Sequence, residues 1–147
     1  MPRTLFRTLF RTLFRTLFPT LLLAGALLAP RPAQAQVLKE IGKTSAGTPV
    51  YLETKSVSRA NGIVTATLRV ALAPPIKAPT GDYVALKSVA MFDCAKQTSA
   101  TKERWFYTDA AFKKVTRHDV PGKPGFGPAL KGSLADVGLA ALCKAGG

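Results

Sequence analysis

The chain has 147 residues, a formal charge of +13 and two cysteines. That length allows one small domain behind a leader and excludes a second large core. The basic excess favours anionic partners in general, and two cysteines with a single histidine are too few ligands for a zinc site.

Arg3, Arg7, Arg11 and Arg15 form a basic segment without an acid, Leu21 to Ala29 supplies an apolar run, and Ala33-Gln34-Ala35 has the small-x-small form of a cleavage site. Residues 1–35 therefore read as a secretory signal peptide, with cleavage near Ala35 and a periplasmic or secreted product. The apolar run between Pro19 and Pro30 falls short of the ~20 residues that span a bilayer, and residues 36–147 contain no transmembrane helix pattern. Within the leader, RTLF occurs in tandem from residue 3 to residue 18, which reads as a duplicated coding stretch in a tolerant segment. The leader holds five arginines (3, 7, 11, 15 and 31) and no acid, so +8 of the formal +13 stays with the mature part.

After an apolar start at Val37, Leu38 and Ile41, a polar turn closes at Pro49 and Val50-Tyr51-Leu52 forms a strand core. Asn61-Gly62 marks a hairpin, because both residues tolerate the positive φ that such a turn requires. From Ile63 to Leu72, Val64, Ala66, Leu68, Val70 and Leu72 alternate with polar residues, as in a half-buried antiparallel strand. Pro74, Pro75 and Pro79 predict a loop from Ala73 to Gly81.

Asp82 to Cys94 predicts the central strand, with Val84, Leu86, Ala90 and Phe92 on one face and only Ser88 interrupting it. Lys96 to Lys102 reads as a turn, and Arg104 to Phe112 as a strand with aromatics on both faces. Lys113 to Val120 continues it as a basic segment, and the prolines and glycines from Pro121 to Gly132 predict irregular chain. Ser133 is placed to cap a short helix carrying Leu134, Val137, Ala141 and Leu142, with Asp136 in its first turn. Gly138 lies inside that helix, which must therefore be held by packing. In an exported chain without a CxxC, Cys94 and Cys143 read as a disulfide in preference to a metal or redox pair.

YLETKSVSRANGIV, DYVALKSVAMFDC, an aromatic strand, a Gly/Pro loop and a Gly-Ser followed by a cysteine ten residues after the serine come in one order. From about Lys43 to Cys143 this order resembles the bacterial surface-adhesin protein E-like family. The resemblance implies an α+β domain over residues 36–147, a small twisted antiparallel β-sheet packed by a short C-terminal α-helix, with Cys94 bridged to Cys143. It also implies an adhesive role on an exported bacterial protein. Two features depart from the family pattern: the leader has no lipid-anchor cysteine, and Phe126 stands where such domains often carry a tryptophan.

The residues offer little chemistry. His118 and Asp119 are neighbours on an extended chain and point to opposite faces, so they do not form a base and its orienting acid. GPALKGS, from Gly127 to Ser133, has its lysine before the last glycine, the wrong order for a phosphate loop. Trp105, Phe106 and Tyr107 are successive strand residues that cannot share one stacking platform, which disfavours nucleic acid. No catalytic residue, metal site or cofactor is expected. Lys96, Lys102, Arg104, Lys113, Lys114 and Arg117 flank the aromatic strand as a candidate anionic-partner patch. The reading is an exported, non-catalytic binding module for an acidic protein, lipopolysaccharide or acidic polysaccharide. A small periplasmic enzyme or enzyme inhibitor is the alternative.

Overall fold

The hairpin at Asn61-Gly62 sets the register of one strand pair of the sheet. In the computed structural model, which describes residues 37–144, Asn61 and Gly62 have φ of 52° and 77° and Ala60 pairs with Ile63. This hairpin joins β3 (Ser58–Ala60) to β4 (Ile63–Ile76). Before it lie β1 (Leu38–Lys43), β2 (Pro49–Glu53) and one 3₁₀ turn, Thr54–Ser56; after it come β5 (Tyr83–Asp93), β6 (Thr98–Tyr107), β7 (Val115–Asp119), β8 (Gly127–Pro128) and the helix α1 (Leu134–Lys144). All pairings are antiparallel, and the main path runs β1-β2-β4-β5-β6-β7, with β3 added to β4 and β8 to β6. The antiparallel sheet, the C-terminal helix and the disulfide are those expected. The leader lies outside the described residues.

Alternation decides which face meets the helix. Val64, Ala66, Leu68 and Val70 of β4 stand opposite Phe92, Ala90, Ser88 and Leu86 of β5, and this face, with Val50 and Leu52 of β2, packs under Leu139 and Leu142. The helix begins at a reciprocal cap: Ser133 Oγ accepts the Asp136 N–H at 3.2 Å, and the Asp136 carboxylate accepts the Gly132 N–H at 2.8 Å. It ends with Arg59 Nη2 donating to the Leu142 carbonyl at 3.2 Å. Gly138 has a packing reason, because a Cβ there would meet Phe92 Cζ at 2.6 Å and Leu68 Cδ1 at 2.8 Å. Cys94, just past β5, is bridged to Cys143, with the two Cα atoms 5.2 Å apart. The bridge closes a sequence separation of 49 residues, worth about 4 kcal/mol in the chain-entropy account.

Four local expectations are corrected. Strand β4 continues through Pro74 and Pro75 to Ile76, because its neighbour β2 pairs only with Leu68 to Val70 and leaves that side of β4 an edge where prolines cost no ladder bond. The turn after β5 is shorter than Lys96 to Lys102: β6 already starts at Thr98, where the polar residues Thr98 and Ser99 pair with Asp93 and Phe92 and, on the other side, with β8. At its far end β6 stops at Tyr107, and Asp109 turns the chain by accepting the backbone N–H groups of Ala111, Lys113 and Lys114. The basic segment from Lys113 to Val120 does not continue β6 but holds the return strand β7.

Candidate functional site

The six basic residues singled out from the sequence are spread along the β5–β6–β7 part of the sheet. Lys96 lies in the turn before β6 and pairs with Asp93 at 3.6 Å, and Lys102 is exposed at the irregularity of β6 opposite Val89 and Ala90. Lys113 and Lys114 follow the turn at the other end of β6. Register brings Arg104 and Arg117 together on the helix face, since Arg104 stands opposite Asp119 and Phe106 opposite Arg117. Asp119 bridges them, accepting from Arg117 Nε at 2.8 Å and from Arg104 Nη2 at 3.3 Å. Both guanidinium carbons lie 5.7 Å from the centre of the Phe106 ring, which in turn lies 5.0 Å from the ring of Tyr83. The hydrogen bond from Arg117 holds the Asp119 carboxyl below its ordinary pKa, and the same bond raises that of Arg117.

The opposite face of the sheet carries a row across five strands: Tyr51, Arg69, Lys87, Trp105 and His118 are successive partners. Lys87 Nζ sits 4.2 Å from the centre of the Trp105 ring. The His118 ring stacks on Trp105 at 4.6 Å with an interplanar angle of 8°. The indole faces are thus occupied from within, so Trp105 is not a free stacking platform. His118 Nε2 also lies 3.4 Å from Glu103 Oε2. Asp119 points to the other face, so His118 and Asp119 are not a pair.

Sequence reasoning missed a cluster at the end of this second face. Glu53 is 4% exposed and takes a charge-assisted hydrogen bond from Arg69. Phe112, at φ 58° in the β6–β7 turn, lies over Arg69 with its ring centre 5.2 Å from the guanidinium carbon, and meets Tyr107 edge-on at 5.1 Å. Burial raises the Tyr107 pKa, partly opposed by the charge of Arg69. Only the apolar character of Phe112 hinted at this, since Arg69 and Glu53 lie far away along the chain.

Among the described residues, no group of three or more His, Cys, Asp or Glu side chains is placed to hold a metal ion. No helix among them is long and apolar enough to cross a membrane. What the arrangement can do chemically is present cations fixed against aromatic rings on both faces of the β6–β7 end of the sheet.

Comparison with known proteins adds a family. A search of the curated proteins gives no match. Among solved structures the chain is similar to protein E of Haemophilus influenzae, at 16% identity over 80% of this chain and 92% of that chain, with a TM-score of 0.49. A second crystal form of that protein gives 12% identity over 70% and 86% of the two chains, with a TM-score of 0.48. Protein E from a non-typeable strain gives 13% over 80% and 82%, with a TM-score of 0.45. At these values the likeness adds nothing to the assignment, which rests on the family model matched over residues 38–144, that is, over all but the first described residue. The chain belongs to the surface-adhesin protein E family.

Proposed function

We propose that this protein is an exported, non-catalytic binding module that docks an acidic protein surface through the β6–β7 end of its sheet. The observation that carries the reading is the placement of Arg104 and Arg117 on Phe106 on one face and of Lys87 on Trp105 on the other. Arginines and aromatic rings held in place are the composition of protein contact surfaces, and fixing a cation on a ring lowers the entropy lost when a partner arrives. Lys102, Lys113 and Lys114 surround this end as exposed charges, and Lys96 lies beyond its other margin. They are suited to steering an acidic partner into place. Membership of a surface-adhesin family supports both the binding role and export, and the sequence of the leader supports cleavage near Ala35.

Lipopolysaccharide and acidic polysaccharide carry the same sign of charge and are outcomes of the same experiment. Binding of the purified protein to an immobilised acidic protein, to heparin and to lipopolysaccharide is measured beside that of a variant with Lys113→Glu, Lys114→Glu and Arg117→Glu. The reading expects capture by the acidic protein and its loss in the variant. Capture by heparin or lipopolysaccharide alone would reassign the partner, and equal capture of parent and variant would remove the patch.

A further inference from the structure

The helix face is not covered evenly. The helix α1 lies mainly on β1, β4 and β5, and beside it the floor of the sheet is made of small side chains, Ser88 and Ala90 on β5 and Ser99 and Thr101 on β6. Residues of this size cannot reach the loop that passes above them, and a cleft of about 480 Å³ is left between sheet, loop and the first turn of α1. A volume of that order is in the range of small-molecule sites. Leu134 forms its helix side, and Leu130, 81% exposed, stands at its rim.

Of the side chains lining this cleft, Arg104 is the one that carries a charge. Its Nε is buried without a hydrogen-bond partner, while its Nη2 is shared with Asp119. Since Asp119 is also the acceptor for Arg117, two guanidinium groups face one carboxylate and one positive charge is left over at the cleft. A second cleft of about 270 Å³, without a charged residue, shares Leu86 and Leu134 with the first as its wall. A headgroup held near Arg104 could therefore be followed by an apolar chain running toward Leu134.

We infer that this cleft binds a medium-chain fatty carboxylate, with its headgroup on the Arg104 guanidinium and its alkyl chain over Ala90 and against Leu134. A carboxylate gives Arg104 the acceptor that Asp119 supplies only in part, and the Thr101 hydroxyl offers a further donor along the floor, where the Ser88 hydroxyl already donates to the Glu103 carbonyl. The alkyl chain removes the exposed Leu130 and its own surface from water. The ligand shares Arg104 with the docking surface, but the docking variant leaves Arg104 in place, so decanoate binding can fail while the basic patch stands, and the reverse.

Calorimetric titration of the purified protein with decanoate, below its micelle concentration, tests the assignment, with 1-decanol as the uncharged comparison. The expected result is saturable one-to-one binding of decanoate, weaker binding of decanol, a loss of about tenfold or more in Arg104→Gln, and no binding in Thr101→Phe. Because Thr101→Phe could disturb the sheet, amide shifts of the parent protein on adding decanoate provide a second reading, expected at Ser88, Thr101 and Leu134. Absence of saturation, undiminished affinity in Arg104→Gln, or amide shifts confined to other parts of the molecule would overturn it.

Discussion

Gly138 of α1 and Phe92 of β5 are in such close approach that a single added carbon would not fit: a Cβ on Gly138 would lie 2.6 Å from Phe92 Cζ. Phe92 is fully buried beneath the helix, and Cys94, two residues on, carries the bridge to Cys143. The glycine that weakens the helix as an isolated element is therefore what lets the helix reach the sheet.

Replacing Gly138 by alanine should lower stability although alanine is the better helix former. The helix gains up to about 1 kcal/mol from the substitution. Forcing Phe92 and Leu68 aside costs typically 1–3 kcal/mol, and valine at the same position should cost more. Urea unfolding of the two variants checks the order parent, alanine, valine. A Gly138→Ala variant more stable than the parent would show that the helix is not seated as described.

Reduction of the bridge, or Cys143→Ala, should destabilise by about 3–4 kcal/mol, seen as a lower melting temperature. The double variant with Cys94→Ala should match the single one, because one bridge is removed in both. Thiol titration of the unfolded protein should find no free cysteine.

Asp109 is caged by backbone N–H groups, with that of Lys114 foremost, and its pKa lies below the usual carboxylate value. A folded-state pKa below the unfolded one contributes stability that is present at pH above the unfolded value and is lost as pH falls through the folded one. Asp109→Asn should therefore be less stable than the parent at neutral pH, and the difference should close below about pH 4. Melting temperatures from pH 2 to 7 give the comparison. A gap that widened on acidification would contradict the cage.

Trp105 is the single tryptophan, and its ring is covered by Lys87 on one side and stacked on His118. His118→Ala and Lys87→Ala should each raise its accessibility to acrylamide and shift its emission to the red, with little change in melting temperature because both partners are largely at the surface. Quenching unchanged in both variants would mean that the row across the strands does not cover the indole.

The sequence made visible those features that are local. Asn61-Gly62 fixes a turn by backbone preference alone, the alternation from Ile63 to Leu72 places one face, and Ser133 with Asp136 marks the start of the helix. The start of β6 was not legible, because Thr98 and Ser99 become strand only through pairing with Asp93 and Phe92 on one side and β8 on the other. Nor was the continuation of β4 through its prolines, which depends on β2 ending early. At the candidate site, the individual cations could be named, but the sharing of Asp119 by Arg104 and Arg117 follows from the register of β6 on β7. The cluster of Glu53, Arg69 and Phe112 joins three distant segments, and nothing local announces it. Ser88, the one break in an apolar face, was the visible trace of the cleft.

The most direct measurement of the docking claim is the salt dependence of binding to an acidic protein, for the parent and for the variant with Lys113→Glu, Lys114→Glu and Arg117→Glu, with circular dichroism confirming that both remain folded. Charge-driven docking at the β6–β7 end predicts affinity that falls steeply as salt rises in the parent, and weak binding with little salt dependence in the variant. Equal affinity and equal salt dependence in the two proteins would contradict it.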